Sequence, residues 1–176
     1  WLPSVAAAAG VRDPSWRVRT VVKQSEIEGA GSGRFVQEAV HEGALVSVKP
    51  VVEMASVERL CDVPADRVIT FNGADEVEKF VALAMEEGDY SRATVLHQLE
   101  NFVWGLDENR ACLNHTAWCM NHGEPHVGET VVKSFTTLAD GREAVVGRAA
   151  RALPAGSELL NSYRDFVIPA WYADYC

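Results

Sequence analysis

The chain has 176 residues, 48% of them hydrophobic, with 16 Lys and Arg against 25 Asp and Glu. That length fits one domain with a substantial core, and the balance is ordinary for a globular protein. The formal net charge of −9 argues against DNA or RNA as the main ligand, because polyanions are held by Lys and Arg, and it suits a basic partner such as a Lys-rich peptide.

The opening WLPSVAAAAG is too short in its apolar part for a membrane anchor, and no apolar run reaches the roughly 18 residues needed to span a bilayer. A start at Trp1 rather than Met is that expected of a fragment or a processed product. Trp16 to Val22 alternates weakly and predicts a strand. Glu28 to Gly33, reading EGAGSG, predicts a tight turn. Arg34 to Pro50 offers two short strands, RFVQEAV and ALVSVKP, broken by His41-Glu42-Gly43. The period then changes. Asp75 to Met85 places Val77, Phe80, Val81, Leu83 and Ala84 at helical spacing behind acidic residues suited to a helix N-terminus, and Ser91 to Leu99 predicts a second short helix. Strand signals return from Phe102, with Asp140-Gly141 as a hairpin turn between VVKSFTTL and EAVVGRA. An aromatic segment, 164–176, closes the chain in a helix or loop. The expected class is therefore mainly β with a helical insert at about 53–100, not a doubly wound α/β chain.

Four cysteines, Cys61, Cys112, Cys119 and Cys176, form no C-x-x-C pair. Free thiols packing as small hydrophobes are expected, in a reducing intracellular compartment (nucleus, cytoplasm, or an organelle after removal of a targeting segment). A zinc reading competes: Cys112, His115, Cys119, His122 and His126 repeat a C-x-x-H spacing. Ligands so close leave no second knuckle to brace a metal, so no metal site is assigned.

Three stretches, in order, resemble the signature blocks of the SET family of protein lysine methyltransferases. Gly31-Ser32-Gly33-Arg34-Phe35, then Ala39 to Val46, resembles the family's opening G-x-G-x-[FV] block and strand. Met120-Asn121-His122-Gly123-Glu124-Pro125-His126 resembles N-H-S-x-x-P-N. Ala144 to Tyr163 resembles a strand, a G-E-E-L corner and a closing Tyr; here the Pro154-Ala155-Gly156 turn feeds Glu158. The resemblance covers almost the whole chain. It implies a single SET domain over 1–176, built of β-clip-like small sheets, in which the second and third blocks thread as a pseudoknot.

By that resemblance the cofactor is S-adenosylmethionine, its methionine end cradled by Gly31, Ser32, Gly33 and Arg34 and its adenine end by Asn121 and His122. Tyr163 is the implied catalytic tyrosine, and Phe166, Trp171 and Tyr172 are candidate walls of a lysine channel. They serve equally well as core aromatics. The implied partner is a protein substrate with an accessible Lys. The pattern departs at Gly123, where the family has Ser, at an early Pro125, and at His126 in place of Asn. Those departures feed an alternative reading, a catalytically inactive SET-like subunit of a larger assembly. Asn114-His115 offers a competing register; Asn121 is preferred because only it has Pro close behind.

Overall fold

The structure, a computed structural model, describes residues 14–114, 120–123, 128–162 and 167–175. In chain order these form β1 (Thr20–Gln24), β2 (Ser32–Val36), β3 (Leu45–Glu53), β4 (Val68–Phe71), α1 (Ala74–Gly88), α2 (Arg92–Phe102), β5 (Val103–Gly105), β6 (Ala111–Asn114), β7 (Asn121–His122), β8 (Val131–Thr137), β9 (Glu143–Ala149), β10 (Leu160–Asn161) and α3 (Ala170–Tyr175). Short 3₁₀ turns stand at Met54–Ser56 and Leu60–Asp62. Among the described residues no helix is long and apolar enough to cross a membrane. The chain divides into two compact units, and β3 contributes to both.

One unit comprises residues 51–114 and 167–175. Its sheet is built on β4, all four residues of which are buried. β4 runs parallel to the end of β3, Val51 opposite Val68, and antiparallel to β6, which pairs in turn with β5. α1 forms where the apolar period is 3.6: Val77, Phe80, Val81 and Ala84 are buried, with Asp75 and Glu76 in the first turn. Phe80 meets Phe71 edge-on at 5.7 Å between ring centroids, a geometry worth about 1 kcal/mol beyond burial. Two polar residues of α1 fasten the 3₁₀ turns. Lys79 Nζ donates to the carbonyls of Met54 (3.1 Å) and Ala55 (2.8 Å), and Glu87 accepts from the backbone N–H groups of Leu60 and Cys61 at 2.6 and 2.8 Å. α2 starts at Ser91, whose Oγ accepts from Thr94 N at 3.1 Å.

The short α3 is held to the same unit at both ends. Trp171 Nε1 donates to Asn109 O at 2.8 Å, Tyr172 is buried in the core, and the Tyr175 hydroxyl donates to Glu78 Oε1 at 2.6 Å. Arg92 forks onto the same carboxylate at 2.7 and 2.6 Å. The hydrogen bonds from Arg92 and then Tyr175 hold the Glu78 carboxyl down at about 2. Burial, and then the bond to Glu78, push the Tyr175 phenol up to about 12.

The other unit comprises residues 14–50, 120–123 and 128–162. β1 and β2 pair antiparallel, Thr20 opposite Val36 and Gln24 opposite Ser32. The first part of β3 pairs antiparallel with β9, and β9 with β8. The β8–β9 hairpin turns at Asp140-Gly141, as its sequence predicts. Gly141 sits at φ 84°, where a side chain is strained, and Asp140 holds Arg142 across the turn at 2.6 Å. Val48, Ala144 and Val146 form a local core.

Three elements differ from the sequence expectation. The first strand is displaced to Thr20–Gln24, and Trp16 lies before it, in an isolated bridge with Ser47. Gly33 lies inside β2 rather than in the preceding turn. The middle of the chain, expected to be helical, carries β4.

Candidate functional site

The Gly-rich segment before β2 is a tight turn closed by Ser25 N donating to Gly31 O at 2.8 Å and Ala30 N to Ile27 O at 3.1 Å. Gly31 has φ 70°, and no atom lies within 4 Å of the place where its Cβ would stand. The backbone there is open to approach. Gly33 is glycine for a different reason. A Cβ on it would overlap Oε1 of Glu158 and come within 3.3 Å of Asn121 Nδ2.

Glu158 reaches this place because residues 157–159 lie antiparallel along the second edge of β2. Val36 N donates to Ser157 O at 3.0 Å and Leu159 N to Arg34 O at 2.7 Å, with Phe35 opposite Glu158. Only 7% of Glu158 is exposed, a costly position for a carboxylate unless donors replace its water. Three do so: Ser25 Oγ at 2.8 Å, Glu26 N at 3.1 Å and Asn121 Nδ2 at 2.9 Å. Asn121 Nδ2 also donates to Ser32 O at 3.3 Å.

Asn121 and His122 form β7, parallel to β10 with Asn121 opposite Leu160 and His122 opposite Asn161. Gly123 N donates to Asn161 O at 3.0 Å. Thr130 secures the pair: its Oγ1 donates to Glu158 O at 3.1 Å and accepts from Leu160 N at 2.7 Å. A Cβ on Gly123 would come within 2.8 Å of the Gly128 carbonyl. The residue standing where the family has Ser is thus pressed against backbone.

Ser32, Gly33 and Asn121, separated by some ninety residues of chain, are brought together beside Glu158, and Gly31 stands in the turn just before them. His122 is half-buried beside Asn161. The Arg34 side chain leaves the opposite face of β2: its Nη1 donates to Thr20 Oγ1 at 2.9 Å, and the guanidinium lies 4.4 Å from the centroid of Trp16. Trp171 and Tyr172 stand on α3 in the other unit, with the contacts given above. Tyr163 and Phe166 lie outside the described residues, as do His115, Cys119 and His126 of the competing metal set. Among the described residues no group of three His, Cys, Asp or Glu is placed to hold a metal. Asn114, the competing register, ends β6 opposite Val68. The sequence pointed to Glu158 only as part of a corner; its partner Ser25 is 133 residues away, and nothing local links them.

No family sequence model matches the chain, and no curated relative does. Solved structures do. Similar to this chain are the apo Polycomb Repressive Complex 2 of Chaetomium thermophilum with mutations in its Ezh2 subunit (TM-score 0.58), a humanized mutant of that complex bound to an inhibitor (0.57), and the complex in an autoinhibited conformation bound to S-adenosylmethionine (0.55). Each is 16% identical over 89% of this chain, and the match spans 16% of the length of that chain. The chain has a SET-like fold, mainly β with few helices.

Proposed function

We propose that the chain is an S-adenosylmethionine-dependent protein-lysine N-methyltransferase. The observation that carries this reading is the meeting of Ser32, Gly33 and Asn121 beside one buried carboxylate, in a fold shared with a complex bound to S-adenosylmethionine. The open backbone at Gly31 fits a ligand's approach: a side chain there would fill the space that is left free. In this reading the backbone of Gly31, Ser32, Gly33 and Arg34 holds the methionine end of the cofactor, and Asn121 and His122 the adenine end. When bound, the cofactor supplies a methyl group on a positively charged sulfur.

The chain's own task is to deliver a neutral amine in line with that methyl. A lysine with its ordinary pKa near 10.4 loses its proton at pH 7 at a cost of about 4.6 kcal/mol. A positive charge nearby and a dry channel both lower that cost. Alignment supplies much of the rest, since holding reactants at about 3 Å removes most of the entropy of encounter. Tyr163 is assigned to the amine, where its hydroxyl accepts or donates one hydrogen bond.

Calorimetric titration with S-adenosylmethionine, followed by methyl transfer to a Lys-rich protein mixture, tests the proposal. Saturable binding and transfer are expected, and absence of binding would end it. Tyr163→Phe is expected to lower turnover while leaving cofactor affinity nearly unchanged, the mark of an interaction made mainly in the transition state. A second reading, a SET-like subunit without catalysis, is favoured by one observation: at Gly123 the backbone of Gly128 takes the room that the family's Ser side chain would need. Cofactor binding without turnover in wild type and Tyr163→Phe alike is its signature.

A further inference from the structure

We propose that Glu158 is a positioning residue for the ligand site, fixing which end of the Asn121 side-chain amide is presented. The inference rests on the cofactor reading of Asn121 and extends it to a residue that reading does not use. Both groups facing the Asn121 amide on its inner side, Glu158 Oε1 at 2.9 Å and Ser32 O at 3.3 Å, are pure acceptors. An amide flipped by 180° would set its oxygen against two oxygens. The NH₂ end is therefore committed inward, and Oδ1 is the end left for a ligand.

Glu158 has the means to enforce this. It is buried, its backbone is fastened to β2 through its neighbours Ser157 and Leu159, and its carboxylate is held by Ser25 and by the Glu26 N–H as well as by Asn121. Gly33 gives it room, since any side chain there would displace it. The carboxylate thus ties together the turn after β1, the start of β2 and β7. The tie holds through directed hydrogen bonds, so its effect is on orientation as well as on stability.

A double-mutant cycle separates the two effects. Asn121→Asp sets carboxylate against carboxylate and removes the donor. Adding Glu158→Gln restores a donor on the other side. The introduced amide turns its NH₂ toward the introduced carboxylate and its oxygen toward the Glu26 N–H, while the Ser25 hydroxyl rotates to accept. Net charge is the same as in wild type. Glu158→Gln alone leaves either Asn121 or the Glu26 N–H facing an NH₂ group. S-Adenosylmethionine affinity by calorimetry and melting temperature are measured for all four proteins. Each single variant is expected to bind at least about tenfold more weakly, the size of one lost hydrogen bond to a charged group, and the double variant to recover part of that loss, because the carboxylate at position 121 still faces Ser32 O. A double variant that binds no better than Asn121→Asp overturns the proposal, as does a single variant that binds like wild type. Should wild type itself not bind, the cofactor reading fails while the pair remains testable. Recovery of the melting temperature in the double variant then supports the polarity lock, and additive losses overturn it.

Discussion

Gly31 and Gly33, separated by a single serine, do opposite jobs, and substitution tells them apart. Gly33→Ala drives a Cβ into the Glu158 carboxylate, which is buried and held by three donors. Displacing it leaves those donors without their acceptor, at a cost of about 3 kcal/mol, and the variant is expected to melt well below wild type with or without ligand. Gly31→Ala meets no atom, and only its φ of 70° is strained, so its cost in stability is about 1 kcal/mol. Its larger effect is expected on S-adenosylmethionine affinity, read by calorimetry. If Gly31→Ala binds like wild type, the backbone there is not the ligand's seat. The sequence marked both glycines together, as parts of one tight turn and of the block that resembles a cofactor cradle. At Gly33 the structure adds a second reason, a carboxylate that no local pattern could have supplied.

At the scale of elements, the attachment of α3 has a pH window that follows from its contacts. Glu78, with its carboxyl held at about 2 against an ordinary 4.5, stabilises the folded state above pH 4.5, and that contribution is lost as pH falls toward 2. Tyr175, raised from 10.0 to about 12, contributes below pH 10, and its share is lost as pH rises toward 12. Between those limits the latch is intact. Absorbance titration of the phenols is expected to include a late ionisation near pH 12 that is lost in Tyr175→Phe and moves earlier in Glu78→Gln. A late amplitude unchanged by Tyr175→Phe would assign it elsewhere. The helices that carry this latch were legible in the sequence, because Val77, Phe80, Val81 and Ala84 repeat at 3.6 and Ser91 caps the next helix. β4 was not. VITF is buried on both faces, so it lacks the alternation that betrays a half-exposed strand, and it is too short to be told from a helical segment. Of the site, the Gly31–Gly33 and Asn121 stretches could be read from their order, whereas the Ser25–Glu158 contact depends on tertiary pairing alone.

Across the whole molecule, charge and mass action give the testable quantities. In the proposed methyltransferase reading, the formal charge of −9 would attract a Lys-rich peptide substrate through a field that salt screens. The KM for such a peptide is expected to rise severalfold when ionic strength goes from about 0.05 to about 0.3 M, because the screening length falls below about 10 Å. A kcat that stays constant would locate the effect in encounter, and a KM indifferent to salt would remove charge from substrate choice. Ligand at about a hundred times its dissociation constant stabilises the folded state by about 2.7 kcal/mol, so saturating S-adenosylmethionine is expected to raise the melting temperature of wild type and of Tyr163→Phe equally.

The seam between β2 and residues 157–159 also has a consequence for how the protein is made. Ribosomes release Ser25 and the strand after it long before Glu158, 133 residues later, has been synthesised. Throughout that interval the second edge of β2 lacks the chain that completes it, and the nascent protein carries an open strand edge of the kind that recruits other chains. Productive folding therefore waits on residues 157–159, which makes their removal far more damaging than the number of residues lost would imply. A fragment stopping before Ser157 is expected to be retained by chaperones or to aggregate, whereas one reaching Ser162 closes the seam. Pulse-chase solubility of a nested series of C-terminal truncations would show a step between those two endpoints; a smooth decline with length would mean that β2 finds shelter by some other route.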